Sequence, residues 1–473
     1  MTEPQVCCAF PVVELEWPDG GGAVDVRCAV CGHESGQSVV AIAAVDWRDE
    51  PVHIVRCASC ESIVMSDVQP PTHYFDEPGC NAQVESAAGL EVVGELLSKA
   101  QRPKGATMLD VGCGYGFALD LGTFIFGWRG VGLDPSVAAA RGREELGLDI
   151  RAGYLDSALE AGEVFDVVFG SEVLEHVPDP RAFVGALADR LAPDGVLLLT
   201  TPDSAVVRPE TERTVLLAAL SVGAHVFLVD AAGLERLLRE AGLEAVVWRE
   251  GPGLRAVAAR SAGALAAASV TAELSYPDLV RYCDARADSA EVGSVLQVGM
   301  VARHLKFTVN LGALDRARAG LPRLRTALLT RYGVDIEDLD GPVPPLARGV
   351  LVGIHYFLGI LVLNGDHDPS RAAAHFATSV RIARTIYAEN DEYWDPQIPA
   401  FEFVALGNRA IALASAGAKR RTIGDALADV DEAVSRGIGD ASAAAEFRAG
   451  AEGIRADRKA ESRGRVRRRL RGG

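Results

Sequence analysis

Four cysteines stand in two matching pairs, Cys28 and Cys31 in "CAVCGH" and Cys57 and Cys60 in "CASC", with 25 residues between the pairs. Two such knuckles let four thiolates converge tetrahedrally on one ion, the donor set of a structural Zn²⁺. Sulfur fills all four positions, so the pattern serves folding rather than catalysis. Cys7, Cys8, Cys80, Cys113 and Cys283 fall outside it. A second pattern begins at "LDVGCGYG", residues 109–116. There Gly112, Gly114 and Gly116 follow an apolar run, and Asp134 ends the next one in "VGLDPS". Glycines so placed let backbone press against a ligand, and a carboxylate after the second strand accepts the ribose hydroxyls of an adenosine. NAD and S-adenosylmethionine share that adenosine. Asp110, inside the loop, is unfavourable beside a pyrophosphate and favourable beside a cationic amino-acid moiety. The loop also reads G-x-G-x-G and lacks the third dinucleotide glycine. Both features favour S-adenosylmethionine.

A third group carries titratable side chains. Glu172, Glu175 and His176 occupy "SEVLEHV", and His225 returns in "GAHVFLVD". The i, i+3, i+4 spacing predicts that the first three share one face at the start of a helix. Two carboxylates and two imidazoles can build an octahedral Mg²⁺ or Mn²⁺ site, completed by acceptor oxygens or water. Without a metal, His176 or His225 is a candidate general base, with Glu172 beside it. The bland alternative is that these residues cap a helix and support the cofactor pocket.

These residues need a scaffold, and the sequence supplies an alternating one. Helical periodicity runs through residues 84–100, followed by the strand "ATMLDVG", a strand ending at Asp134, and the helix "SVAAARGREELG". A third strand lies in "EVFDVVFGS". A helix, a Pro-Asp-Gly turn and a strand follow in "AFVGALADRLAPDGVLLLTTPD", and "VDAAGLERLLREAGLEAVVWR" adds a helix and a strand. Such alternation predicts an α/β fold with a Rossmann-like, mostly parallel sheet whose ligands sit at the strands' carboxyl ends. The residues singled out above all fall there. Between the cysteine pairs, "SVVAIAAVDW" and "PVHIVR" read as short strands of a small zinc ribbon. Beyond residue 262 the rhythm stops. Two helical hairpins, around residues 346–389 and 398–437, predict an all-α domain of tetratricopeptide-like character, although Gly365 and Gly417 lie 52 residues apart, against about 34 in such repeats. The expected organisation is a ribbon segment at 1–83, a cofactor domain at 84–262, helices at 263–454 and a basic tail at 455–473.

"LDVGCGYG", "VGLDPS", "FDVVFGSEVLEHVPDP" and "LAPDGVLLLTTPD", in that order, resemble the successive motifs of class I S-adenosylmethionine-dependent methyltransferases over roughly residues 88–250. The resemblance implies that Asp110, Gly112, Gly114 and Gly116 line the methionine and ribose portions. It also implies that Asp134 binds the ribose, Leu133 and Pro135 flank the adenine, and Ser171 and Glu172 border the sulfonium. The E-x-x-E-H arrangement is similar to that of ubiquinone-pathway O-methyltransferases. With the later histidine it is also similar to that of small-RNA 2′-O-methyltransferases. A ribbon ahead of such a domain is similar to methyltransferases acting on sugars and polysaccharides. The expectation is methyl transfer to a hydroxyl of a small molecule or glycan. Alternatives are an RNA 2′-O-methyltransferase, a sugar C-methyltransferase and a non-catalytic cofactor-binding scaffold.

Composition narrows the partners. The 473 residues carry a formal charge of −18, which argues against a chain built as a whole to coat nucleic acid. Residues 455–471 run the other way, with nine Arg or Lys against two acids, and could meet an anionic membrane or RNA. The helical domain offers a surface for a protein partner or self-association. Residues 349–365 hold no formal charge but are short for a membrane span and contain four glycines, so they read as a buried helix. The start of the chain lacks the basic, then apolar pattern of a signal peptide, and a cytoplasmic location is expected.

Overall fold

The residues described by the computed structural model are 12–20, 22–45, 49–66, 68, 77–86, 89–268, 270–389 and 397–471. Cys7 and Cys8 lie outside them. The chain divides into two units, Met1–Tyr282 and Cys283–Gly473.

In the first unit, "QSVVAIAAV" buries every second residue and so forms a strand with one face on a core. It is β3 (Gln37–Val45), preceded by β1 (Val12–Glu16) and β2 (Ala23–Val24) and followed by β4 (Val52–Arg56) and β5 (Ile63–Met65). The path β1-β3-β4-β5 is antiparallel, and β2 pairs with β3. Next come two helices, Glu77–Ser86 and Leu90–Lys99, where periodicity predicts one through 84–100. Gly89, with φ 80°, stands directly before the second helix and separates it from the first.

The second sheet follows the predicted alternation. Its strands are β6 (Thr107–Val111), β7 (Arg129–Leu133), β8 (Ile150–Arg151), β9 (Phe165–Ser171) and β10 (Leu191–Pro202). After a two-residue β11 (Phe227–Leu228) come β12 (Glu244–Glu250) and β13 (Gly253–Ala259). The order is β12-β13-β10-β9-β6-β7-β8. The five strands from β8 to β10 are parallel, while β13 runs antiparallel to both β10 and β12. Chain direction across the sheet reverses at β6 and β9, and such a switch point opens a crevice at the strands' carboxyl ends. Local capping sets the helices beside it. Ser136 accepts from Ala139 N at the start of Val137–Leu146, and Asp230 accepts from Gly233 N at the start of Ala231–Glu240.

β11 does not join this sheet. It pairs with β5 and extends the ribbon sheet, so both sheets belong to one unit. One apolar cluster contains Cys28, Val30, Cys57 and Cys60 together with Phe227, Val229, Leu234, Leu237 and Leu238. A second joins Ile54, Ile63 and Met65 to Leu216, Ala219 and Leu220 of helix Arg213–Leu220.

The second unit is helical. Both expected hairpins are present, as Arg348–Leu361 with Pro369–Glu389, and Gln397–Ala416 with Arg420–Ser435. Val295–Asn310 and Leu314–Tyr332 precede them, and Ala441–Arg471 follows as one helix that includes most of the basic segment. Among the described residues one helical stretch, Pro345–Asp366, is long and apolar enough to cross a membrane, and 56% of that window is buried. Its Gly359 faces the Phe376 ring so closely that a Cβ would lie 2.5 Å from Cε1. That is helix-on-helix packing, in keeping with a core helix.

Candidate active site

The glycine loop follows β6 in a backbone that side chains resist. Gly112, Gly114 and Gly116 have φ of 70°, 51° and 90°. A Cβ on Gly112 would lie 2.4 Å from Val173 Cγ2, whereas one on Gly114 would meet nothing within 4 Å. The loop is therefore packed from behind and open above Gly114. Gly114 N donates to Asp134 Oδ2 at 2.9 Å, and Ser136 N donates to Asp134 Oδ1 at 2.7 Å. The carboxylate after β7 is thereby fixed at the rim of the loop, with Leu133 buried and Pro135 exposed on either side.

Asp110 is the electrostatic centre of this crevice. It is 2% exposed, and its Oδ2 has no hydrogen-bond partner. Burial first, and the Asp134 carboxylate second, hold its carboxyl well above the ordinary 3.8. A buried orphan acceptor beside an open glycine loop fits a ligand that brings a cationic donor, which the amino-acid end of S-adenosylmethionine does.

At the end of β9, Ser171 and Thr200 hydroxyls meet at 2.7 Å. Glu172 follows with φ 55°, a strained value for a side-chain-bearing residue, and its N donates to Thr200 O at 3.1 Å. Its side chain faces solvent in the crevice.

Glu175 turns the other way. It is fully buried, and Thr201 Oγ1 donates to its Oε2 at 2.9 Å. Its Oε1 has no hydrogen-bond partner and lies 3.8 Å from both His176 Nε2 and His225 Nε2. The two rings meet edge to face with centroids 4.7 Å apart. His176 Nδ1 lies 3.0 Å from Ala224 O, and His225 Nδ1 lies 2.7 Å from Ala219 O. A carbonyl only accepts, so each neutral ring carries its proton on Nδ1 and turns the Nε2 lone pair toward Glu175. Burial lowers both imidazoles, His225 to about 3, and so keeps them neutral. The same loss of solvent pushes Glu175 up to about 7. Three lone-pair atoms converge, Glu175 Oε1 and the two Nε2 atoms, all within 4.8 Å of one another, and either a proton on the raised Glu175 carboxyl or a bound cation relieves their repulsion.

The four cysteine sulfurs also converge. Cys28 Sγ lies 3.6 Å from Cys60 Sγ and Cys31 Sγ 3.5 Å from Cys57 Sγ, and all four fall within 4.8 Å of one another. Thiolates about 2.3 Å from a tetrahedral ion would stand about 3.8 Å apart. Each knuckle is closed by a positive-φ residue, Gly32 at 75° and Glu61 at 59°.

Glu172 does not share a helical face with Glu175 and His176, although its spacing predicts one. Leu174–His176 is a single 3₁₀ turn, and the helix starts only at Pro180. Pro178 and Pro180 push Val177 and Asp179 into extended backbone, so no helix can run from Glu172. Glu172 stays in the cofactor crevice, while Glu175, His176 and His225 form the cluster. The prolines of "VPDP" carried that signal. Sequence reasoning also missed Thr201 and the carbonyls of Ala219 and Ala224, which orient the cluster.

A Rossmann-like sheet, a glycine loop against a carboxylate after β7 and an orphan acid inside the loop together form a crevice suited to an adenosine-bearing cofactor. Residues 85–247 match the family profile described as a methyltransferase domain. The chain is 34% identical over 156 residues to the ubiquinone biosynthesis O-methyltransferase of Dinoroseobacter shibae, covering 30% of this chain and 62% of that one. To the protein of the same name from Agrobacterium fabrum it is 33% identical over 168 residues, covering 32% and 65%. A solved O-methyltransferase family protein from Burkholderia thailandensis shares 24% identity, covering 39% of this chain and 59% of that one at a TM-score of 0.33. The chain thus spans less than two thirds of the length of these relatives.

Proposed function

We propose that this chain transfers a methyl group from S-adenosylmethionine to a hydroxyl of a small molecule or glycan, with the acceptor held beside a divalent-metal site at Glu175, His176 and His225. The observation that carries the metal is the convergence of Glu175 Oε1 with two Nε2 lone pairs, each tautomer set by a carbonyl. Two imidazoles and a carboxylate suit Mn²⁺ better than Mg²⁺, whose preference is for oxygen. When bound there, such an ion lowers the acidity barrier of an acceptor hydroxyl. S-adenosylmethionine supplies the electrophilic methyl. Asp110 receives its cationic end, Asp134 its ribose, and Glu172, facing the crevice, takes the acceptor proton. The Cys28, Cys31, Cys57 and Cys60 thiols would hold a structural Zn²⁺, all four positions being sulfur. The relatives' names support oxygen as the acceptor atom. The Arg-rich end of Ala441–Arg471 offers a contact for an anionic partner, and a cytoplasmic setting suits the reduced thiols.

Turnover on a panel of sugar, phenolic and RNA acceptors, after thorough chelation and add-back of Mn²⁺ or Mg²⁺, tests the reading. Activity on hydroxyl acceptors restored by Mn²⁺ is expected. Unchanged turnover in chelator removes the metal, and methylation confined to RNA or to carbon removes the acceptor class.

A further inference from the structure

We infer that the four-cysteine module is a positioning device for His225. It holds residues 222–229 so that the imidazole meets Glu175, and loss of the ion from the cysteines releases that segment. The inference deepens the function proposed above and rests on it for the two ions.

The connection runs through backbone. β11 begins two residues after His225, is only two residues long, and pairs with β5 through Phe227↔Val64 and Leu228↔Ile63. Met65 N donates to Val226 O at 3.1 Å, and Val226 N donates to Glu175 O at 2.9 Å. The residue after His225 is thus held by the ribbon on one side and by Glu175's own backbone on the other. β5 starts three residues after Cys60. Cys57 N donates to Ser62 O at 2.9 Å, and Cys60 Sγ lies 3.3 Å from Ser62 Oγ, so the shape of the second knuckle passes directly to β5.

Side chains outside the ribbon grip the knuckles. Arg181 donates to Val30 O, inside the first knuckle, from Nη2 at 3.0 Å and Nε at 3.3 Å. Ser204 Oγ donates to Glu61 O, directly after the second, at 3.3 Å. From the other direction, helix Arg213–Leu220 leads into His225 and shares an apolar cluster with Ile54, Ile63 and Met65 of the ribbon. Ala219, whose carbonyl fixes the His225 tautomer, belongs to that helix and that cluster. A two-residue strand has little stability of its own, and a ribbon of this size depends on its ion. Order at His225 is therefore drawn from the cysteine module. Arg181 is a positioning residue in this scheme.

The test uses the full chain, zinc-loaded and after zinc extraction by a high-affinity chelator, read by amide hydrogen exchange. Exchange in residues 222–229 is expected to rise about tenfold or more on extraction, while β6 keeps its protection and S-adenosylmethionine affinity by calorimetry is unmoved. Unchanged exchange at 222–229 overturns the inference, and so does an even rise across the whole unit. A milder arm leaves the cysteines alone. Arg181→Met is expected to weaken Mn²⁺ binding at the Glu175 cluster about three- to tenfold and to raise exchange at 222–229, with Arg181→Lys recovering part of both. Wild-type behaviour of Arg181→Met in both readouts overturns the inference. Metal analysis of the wild type reports separately on the ions. A chain that takes up no zinc loses the extraction arm and the zinc reading together, and one that takes up no Mn²⁺ loses only the catalytic-metal reading. The exchange of Arg181→Met then still decides whether the module positions His225.

Discussion

At the scale of single residues, the crevice separates binding from stability. Asp110 has no partner for Oδ2 in a fully enclosed position, so its charge costs the fold and serves the ligand. Asp110→Asn is expected to weaken S-adenosylmethionine binding about ten- to hundredfold by calorimetry, since a charge-assisted hydrogen bond is lost. The variant's melting temperature without ligand should equal or exceed the wild type's. The pH dependence follows from the raised carboxyl. A carboxyl raised on folding contributes stability that is fully present below its unfolded value and is lost as pH rises through the folded value. The ligand-free wild type should thus gain stability relative to Asp110→Asn as pH falls from 8 to 5. Affinity should move the opposite way, because the ligand meets the carboxylate, and Asp110→Asn should flatten that dependence. A wild type and variant with parallel pH profiles would refute this role. Glu172 separates from Glu175 in the same spirit. Glu172→Gln is expected to lower kcat about 10²- to 10⁴-fold with little change in cofactor affinity, as loss of a proton acceptor does. A rate within a factor of about two of wild type would leave Glu172 only a wall of the crevice.

At the scale of elements, the glycine loop depends on how closely helix Val137–Leu146 approaches it. A Cβ on Gly142 would lie 1.9 Å from the Tyr115 carbonyl oxygen, which belongs to backbone and cannot swing aside. Tyr115 is further held by its hydroxyl, which donates to Glu145 at 2.6 Å one turn along the same helix. Gly142→Ala is expected to cost about 3 kcal/mol or more in denaturant unfolding and to weaken S-adenosylmethionine binding, because helix and loop must separate. Unaltered stability would show that the helix slides freely. Gly142 drew no notice in the sequence, where a glycine inside "AAARGREELG" is a weak helix residue and nothing more. Elements with a strong period were legible: β6, β7, β9 and β10, the helices Val137–Leu146 and Pro180–Asp189 and both helical hairpins. β8 and β11 were not, since two residues carry no period. β13 was obscured by small residues in "LRAVAA" and by the Gly251-Pro252-Gly253 turn before it. For the site, residue identities were legible and their sides were not. Which carboxylate faces the cofactor depends on a strained φ at Glu172 and two prolines, and the partner of His225 depends on a pairing between strands about 160 residues apart.

At the scale of the whole molecule, the chain joins two units with separate cores. Residues of the first surround both sheets and the ligand crevice, and residues of the second pack helix against helix around Phe376, Phe403 and Leu406. A ligand that binds only the native form of one unit stabilises that unit by mass action and leaves an independent unit untouched. Two transitions are therefore expected in calorimetric melting of the full chain. S-adenosylmethionine at about 100 times its dissociation constant adds about 2.7 kcal/mol, which for a unit of this size moves one transition up by roughly 5 °C. Zinc extraction should leave that transition in place, because the segment it releases, residues 222–229, opens locally while β6 keeps its protection. The helical transition should stay fixed in both experiments. If one cooperative melt moves as a whole with ligand, the two units unfold as one, and the helical unit then contributes to cofactor binding through stability.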